Sequence, residues 1–199
     1  MTVAARDVTG IVLAGGMGRR MGGVDKGLVE LDGKPLVAYV LARLAPQVGA
    51  LLINANQNRE RYAAFGHPVV PDEVGGFAGP LAGLHAGMTH AATRFVATVP
   101  CDSPFLPPDL VARLAAALDR AHAQLAVAHT YAQPHPVFAL VSRDVLPHLT
   151  AFLRDGGRKI DAWYASLAVV AVPFDDEEAA FRNINTADEL KAAAAPGRS

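Results

Sequence analysis

Two hydrophobic patterns alternate along the chain. Short, mainly apolar runs fall over 10–14, 50–54, 69–71 and 95–100, as expected of strands buried on both faces. Between them, apolar residues recur at the helical interval over 35–44, 59–65 and 81–90, with Pro35 and Pro80 where a first helical turn tolerates proline. Pro108 opens a further helix in which Leu110, Val111, Leu114 and Leu118 share one face. Strands that alternate with helices in this way build βαβ units and a mainly parallel sheet.

After Asp119 the pattern changes. Runs over 125–129 and 137–141 read as short strands around the proline-rich turn Gln133-Pro134-His135-Pro136, and an antiparallel arrangement is the expectation for them. Helices near 144–153 and 159–165 follow, then a strand over 167–173 and a last helix from Thr186. The fold expected is therefore α/β: one doubly wound, mostly parallel sheet with a small antiparallel extension in the C-terminal half, in a single domain over 1–199. Ligands of such sheets bind at the carboxyl ends of the strands. Gly15 follows the first strand, Asn54 ends the second, Asp72 follows the third and Asp102 follows the fourth. All four should meet at one edge.

The first of these strand ends carries the most information. Leu13 to Lys26 reads LAGGMGRRMGGVDK: the apolar run breaks into five glycines, two arginines and a lysine. Glycine lets bare backbone N–H groups approach a ligand, and Arg19, Arg20 and Lys26 place positive charge where a triphosphate would sit. Two familiar phosphate loops are excluded by spelling. A P-loop needs Gly-x-x-x-x-Gly-Lys-Ser/Thr, yet Gly33-Lys34 is followed by Pro35, with Leu28 where the first glycine belongs. A dinucleotide fingerprint needs Gly-x-Gly-x-x-Gly, and the run from Gly16 ends on Met21.

Taken whole, Leu13-Ala14-Gly15-Gly16, Arg20-Met21-Gly22 and Asp25-Lys26 resemble the signature of nucleotidyltransferases on a Rossmann-like domain. Within that superfamily the chain resembles the molybdenum cofactor guanylyltransferases. Asn54 in INAN, Pro71-Asp72, Gly79-Pro80-Leu81-Ala82-Gly83, Pro100-Cys101-Asp102, His135-Pro136 and Asn183-Ile184-Asn185-Thr186 follow in that family's order. The resemblance implies a nucleotide-binding half over about 9–119 and an acceptor-binding half over about 120–192. It implies GTP contacts at Leu13, Ala14, Gly15, Gly16, Lys26, Asn54, Asp72 and Asp102, with Mg²⁺ (or Mn²⁺) on Asp102. It further implies that His135, Pro136, Asn183 and Asn185 line the pterin side, with Arg158 and Lys159 available for its phosphate.

Residue chemistry is consistent with these assignments and leaves some of them open. Mg²⁺ takes one or two carboxylates and fills its other positions with phosphate oxygens and water, which suits Asp102; the same residue could instead form a turn or cap a helix. Lys26 is one of only four lysines among 18 basic residues, so its place in the loop suggests a need for a compact point charge. Arg20 offers a planar fork for the leaving pyrophosphate. Arg19 is either part of that site or solvated, and Asp25 either orders the loop or is solvated. Asp72 could accept from ribose hydroxyls or from the N1–H and amino group of guanine.

Composition narrows the remaining classes. Hydrophobic residues make up 51% and charged residues 19%, the balance of a compact soluble protein, and no apolar stretch reaches membrane-spanning length. Residues 1–9 lack the apolar run of a secretory signal. A net charge of −1 without a basic run gives no electrostatic footprint for nucleic acid. The single cysteine, Cys101, excludes an internal disulfide and fits a reducing cytoplasm, and it reads as a packed residue rather than a nucleophile. The seven histidines show no metal-ligand spacing. The activity expected from the resemblance is transfer of GMP from GTP to the phosphate of molybdopterin or its molybdenum-loaded form, with release of pyrophosphate. Transient contact with molybdenum-inserting or acceptor proteins is a further expectation. A cytidylyl or other small-molecule nucleotidyltransferase is the enzymatic alternative, and a nucleotide or cofactor carrier the alternative outside enzymes.

Overall fold

The structure, a computed structural model, describes residues 3–15, 25–74, 79–131, 133–184 and 189. Four apolar runs form parallel neighbours along one side of the sheet: β1 (Val8–Leu13), β4 (Ala50–Asn54), β5 (Val69–Val70) and β6 (Phe95–Pro100). With β7 (Leu125–Thr130), β8 (Gln133–Ser142) and β9 (Val169–Pro173) they complete a seven-stranded sheet in the order β5-β4-β1-β6-β8-β7-β9. Only β8 runs against its neighbours, pairing antiparallel with both β6 and β7, while β9 returns parallel to β7.

Alternation along β1 shows how the layers are built. Val8 and Val12 face one side, in a core with Val37, Val40 and Leu44 of α1 (Leu36–Leu44) and Leu110 and Leu114 of α4 (Leu110–Ala121). Ile11 faces the other, with Leu81 and Met88 of α3 (Pro80–His90), Leu149 of α5 (Leu146–Arg154) and Trp163 of α6 (Ile160–Tyr164). Successive strand residues point to opposite faces, so a run that is apolar throughout must be covered on both. A short helix, α2 (Arg59–Ala63), bridges β4 and β5.

The structure departs from the sequence reading in two places. Residues 133–136 belong to β8 itself rather than to a turn before it. β6 pairs only with residues 139–142 of β8, so Pro134 and Pro136 lie where one flank of the strand has no ladder to interrupt, and a bulge between Val127 and Ala128 absorbs the change of register. Ahead of α1, β2 (Glu30–Leu31) and β3 (Lys34–Pro35) form a separate two-stranded hairpin. Asp32 and Gly33 both take positive φ, 50° and 73°, the signature of a tight Asp-Gly hairpin turn. The helix expected from Thr186 begins outside the described residues.

Candidate active site

Backbone hydrogen bonds carry the parallel ladder past the strand ends and fix the first residues of the site. The Ala14 N–H donates to the Asn54 carbonyl (2.8 Å), and the Cys101 N–H donates to the Leu13 carbonyl (3.1 Å). Gly15, Asn54, Asp72 and Asp102 therefore emerge at the same carboxyl edge, in two polar clusters.

The first cluster centres on Asp72. Asn54, 2% exposed, donates through Nδ2 to Asp72 Oδ1 (2.9 Å) and to the Val70 carbonyl (3.2 Å). Asn56 donates to Asp72 Oδ2 (2.8 Å) and accepts from the Asp72 backbone N–H (2.8 Å). Two glycines make room for this arrangement. A Cβ on Gly15 would lie 3.0 Å from Asn54 Oδ1, and one on Gly83 of α3 would overlap the same oxygen and approach Leu13 Cδ2 to 2.8 Å. Each Asp72 oxygen thus receives one amide and keeps further acceptor capacity, since an ionised carboxylate offers about four lone-pair sites.

The second cluster joins Lys26 to Asp102. Lys26 opens a 3₁₀ turn (Lys26–Leu28) and its Nζ lies 3.2 Å from Asp102 Oδ2. Asp102 is 7% exposed. Behind it, burial and the nearby carboxylates of Asp102 and Asp25 push the Cys101 thiol well above its usual range. That thiol stays protonated at neutral pH and is a poor nucleophile, in keeping with a packed residue. Asp102 is a hard oxygen donor of the kind Mg²⁺ accepts as a single carboxylate, the remaining positions being filled by phosphate and water, so the donor set fits a divalent ion carried in with a triphosphate. Among the described residues no cluster of three or more His, Cys, Asp or Glu side chains could hold a metal by itself.

The residues expected on the acceptor side are less concentrated. Asn183 reaches the site: its Oδ1 accepts from Ser103 Oγ (2.6 Å), and the Ile184 N–H donates to the Asp102 carbonyl (2.9 Å). His135 stacks on Phe181 with ring centroids 4.5 Å apart, and its Nε2 meets Thr130 Oγ1 at 2.7 Å. The Pro136 carbonyl accepts from Tyr164 Oη (2.7 Å). Arg158 Nη1 is committed to the carbonyls of Leu153 (2.8 Å) and Gly157 (2.7 Å), where it closes the end of α5, and Lys159 stands exposed at the N-cap of α6. Gly16, Arg20 and Asn185 lie outside the described residues.

Asn56, Asn58 and Tyr62 were not singled out from the sequence. Asn56 had a signal, since residues i and i+2 of an extended segment share a face and Asn54 is already on it. Asn58 and Tyr62 both reach Asp25, at 3.0 Å from Asn58 Nδ2 to Oδ2 and 2.5 Å from Tyr62 Oη to Oδ1. Ser103 carried no signal that distinguished it from a turn residue.

Residues 10–170 match the MobA-like NTP transferase domain. The chain is 53% identical over 195 residues to a molybdenum cofactor guanylyltransferase of Cupriavidus taiwanensis, covering 96% of this chain and 98% of that one. It is 52% identical over 193 residues to one from Cupriavidus metallidurans, covering 94% and 95%. Among solved structures, the molybdopterin-guanine dinucleotide biosynthesis protein A of Archaeoglobus fulgidus superposes with a TM-score of 0.75 at 28% identity, covering 94% of this chain and 96% of that one. The chain belongs to the molybdenum cofactor guanylyltransferases, nucleotidyltransferases built on the MobA-like NTP transferase domain.

Proposed function

We propose that this protein transfers GMP from GTP to the terminal phosphate of molybdopterin, or of its molybdenum-loaded form, and releases pyrophosphate. The observation that carries the reading is the convergence of two fixed carboxylates on one sheet edge. Asp72 is held by two asparagine amides and Asp102 is paired with Lys26. The reading is supported further by the relatives, which are named for this activity.

In the transfer, an oxygen of the acceptor phosphate attacks the α-phosphorus of GTP. The bond from that phosphorus to the oxygen bridging the β-phosphate breaks, and the electron pair leaves on pyrophosphate. The attacking oxygen is already ionised at neutral pH, so no side chain need act as nucleophile. What the chain supplies is position and charge. Amides of Gly15 and Gly16, beyond the ladder that Leu13 and Ala14 complete, and the side chains of Lys26 and Arg20 bind the triphosphate. Lys26, as a compact cation, neutralises charge developing on the α- and β-phosphates. Asp102 would hold the divalent ion, Mg²⁺ with Mn²⁺ as a substitute, which when bound neutralises phosphate charge and orients the leaving group. Asp72, oriented by Asn54 and Asn56, accepts from the nucleoside. On the acceptor side, Asn183 together with Asn185, His135, Pro136, Arg158 and Lys159 borders the pterin. The cytoplasm is the compartment this chemistry implies, and no helix of the described residues is long and apolar enough to cross a membrane.

The test is pyrophosphate release by purified protein with GTP and Mg²⁺, with and without molybdopterin. Release that depends on the acceptor is expected. A protein that binds both ligands and releases none is a carrier, and the reading fails.

A further inference from the structure

The sequence leaves Asp25 either ordering the loop or solvated, and the structure shows it held from both sides by one short helix. Asn58 is the N-cap residue of α2, yet its side chain makes no cap hydrogen bond. An N-cap asparagine ordinarily accepts from the N–H two or three residues on. Here the backbone takes the left-handed conformation, φ 50° and ψ 31°, and the amide turns away from its own helix to donate to Asp25 Oδ2 at 3.0 Å. Tyr62, one turn later on the same face and fully buried, donates its hydroxyl to Asp25 Oδ1 at 2.5 Å. Both carboxylate oxygens are thus satisfied by neutral donors.

Asp25 is also the residue from which the Lys26 turn is hung. Its carbonyl accepts from the Leu28 N–H (3.1 Å), the Lys26 carbonyl accepts from the Val29 N–H (3.1 Å), and Lys26 Nζ reaches Asp102 at 3.2 Å. Gly27 lies flat against the clamp. A Cβ there would stand 2.5 Å from the Tyr62 hydroxyl and 3.1 Å from Cys101 Cβ. The phenol, the thiol and the turn are packed with no room for a side chain between them.

We propose that Asn58 and Tyr62 are positioning residues for nucleotidyl transfer, which set the place of Lys26 by clamping the Asp25 carboxylate. The clamp fixes the start of the turn, and hence the stem of the lysine whose Nζ meets Asp102 at 3.2 Å. Burial raises the Tyr62 hydroxyl far above its ordinary range, which keeps it a donor throughout the working pH range. The inference rests on the proposed role of Lys26 at the triphosphate.

Tyr62→Phe keeps the ring and removes only the donor. Asn58→Gly removes the amide while suiting the left-handed backbone. Each is measured for acceptor-dependent pyrophosphate release, GTP affinity by calorimetry, and thermal melting, alone and in a Lys26→Ala background. The expected result is a fall in kcat of about ten- to a hundredfold, the scale on which a displacement of about 1 Å tells, with GTP affinity within about threefold of wild type. In the Lys26→Ala background neither change should lower kcat further, because the clamp acts only through the lysine. Asn58→Gly carries the test should Tyr62→Phe fail to fold. Wild-type kcat in the α2 variants overturns the inference, as does the same fractional loss with and without the lysine. Full turnover by Lys26→Ala alone overturns the triphosphate reading and this inference together.

Discussion

Gly83→Ala is the smallest change that reaches the Asn54–Asp72 cluster, because it adds one methyl group to a site that has no space for it. Gly83 is buried within α3, where alanine would ordinarily stabilise a helix by about 1 kcal/mol. Here the new Cβ would overlap Asn54 Oδ1, stand 2.9 Å from Asn54 Cγ and approach Leu13 Cδ2 to 2.8 Å. Overpacking of a filled interior costs about 1–3 kcal/mol. An Asn54 pushed aside also gives up its bonds to Asp72 and the Val70 carbonyl, and a buried polar group left unsatisfied costs about 1–3 kcal/mol. The helix gain is outweighed, leaving a net loss of about 1–5 kcal/mol, which is about fivefold or more wherever it falls on binding. Calorimetric titration with GTP and thermal melting read the two shares. A lower melting temperature with GTP affinity reduced at least about fivefold is expected. An unchanged or raised melting temperature with intact affinity would refute the reasoning, since the helix-propensity gain would then have prevailed.

Further changes probe the charges. Lys26→Ala should lower kcat by more than it weakens GTP binding, and Lys26→Arg should restore it only in part, because a planar fork does not fill the place of an ammonium; steady-state rates set beside calorimetric affinity separate the two. Asp102→Asn should abolish metal-dependent turnover while the protein still melts cooperatively, as a titration with Mg²⁺ and Mn²⁺ would show. Cys101→Ala should leave turnover largely intact, and loss of activity in that variant would reopen a covalent route. Burial, with His129 nearby, holds His135 below its ordinary 6.5. The unfolded chain therefore takes up this proton first, and the stability contributed above about pH 6.5 is lost as the pH falls. His135→Phe should flatten the decline of melting temperature between about pH 7 and 5.

Much of this architecture was legible because burial on both faces leaves so plain a mark. The runs ending at Leu13, Asn54 and Pro100 had to be central parallel strands, and once they are, their carboxyl ends must share an edge. The meeting of Gly15, Asn54, Asp72 and Asp102 follows from that topology. What was hidden depends on packing rather than pattern. The Gln133–Pro136 segment reads as a turn by composition, and only the shortness of its ladder with β6 allows prolines in that strand. Arg158 reads by charge as available to a phosphate, and the pattern does not reveal that its Nη1 also closes the end of α5. Asn58 and Tyr62 lie on an exposed-looking five-residue helix, and their significance comes from Asp25, 33 and 37 residues away in the chain. The Asp32-Gly33 hairpin was readable in principle, since that dipeptide is among the strongest short-range turn signals.

The central claim is that this edge reads guanine and hands its nucleotide to a pterin phosphate. It is tested most directly by mass analysis of the product when GTP, CTP and ATP compete at equal concentration for molybdopterin in the presence of Mg²⁺. The account predicts the guanine dinucleotide almost alone, because a site built around a fixed acceptor leaves its own groups unpaired against the wrong base. A cytosine dinucleotide, or a mixture of the three in proportion to supply, would contradict it.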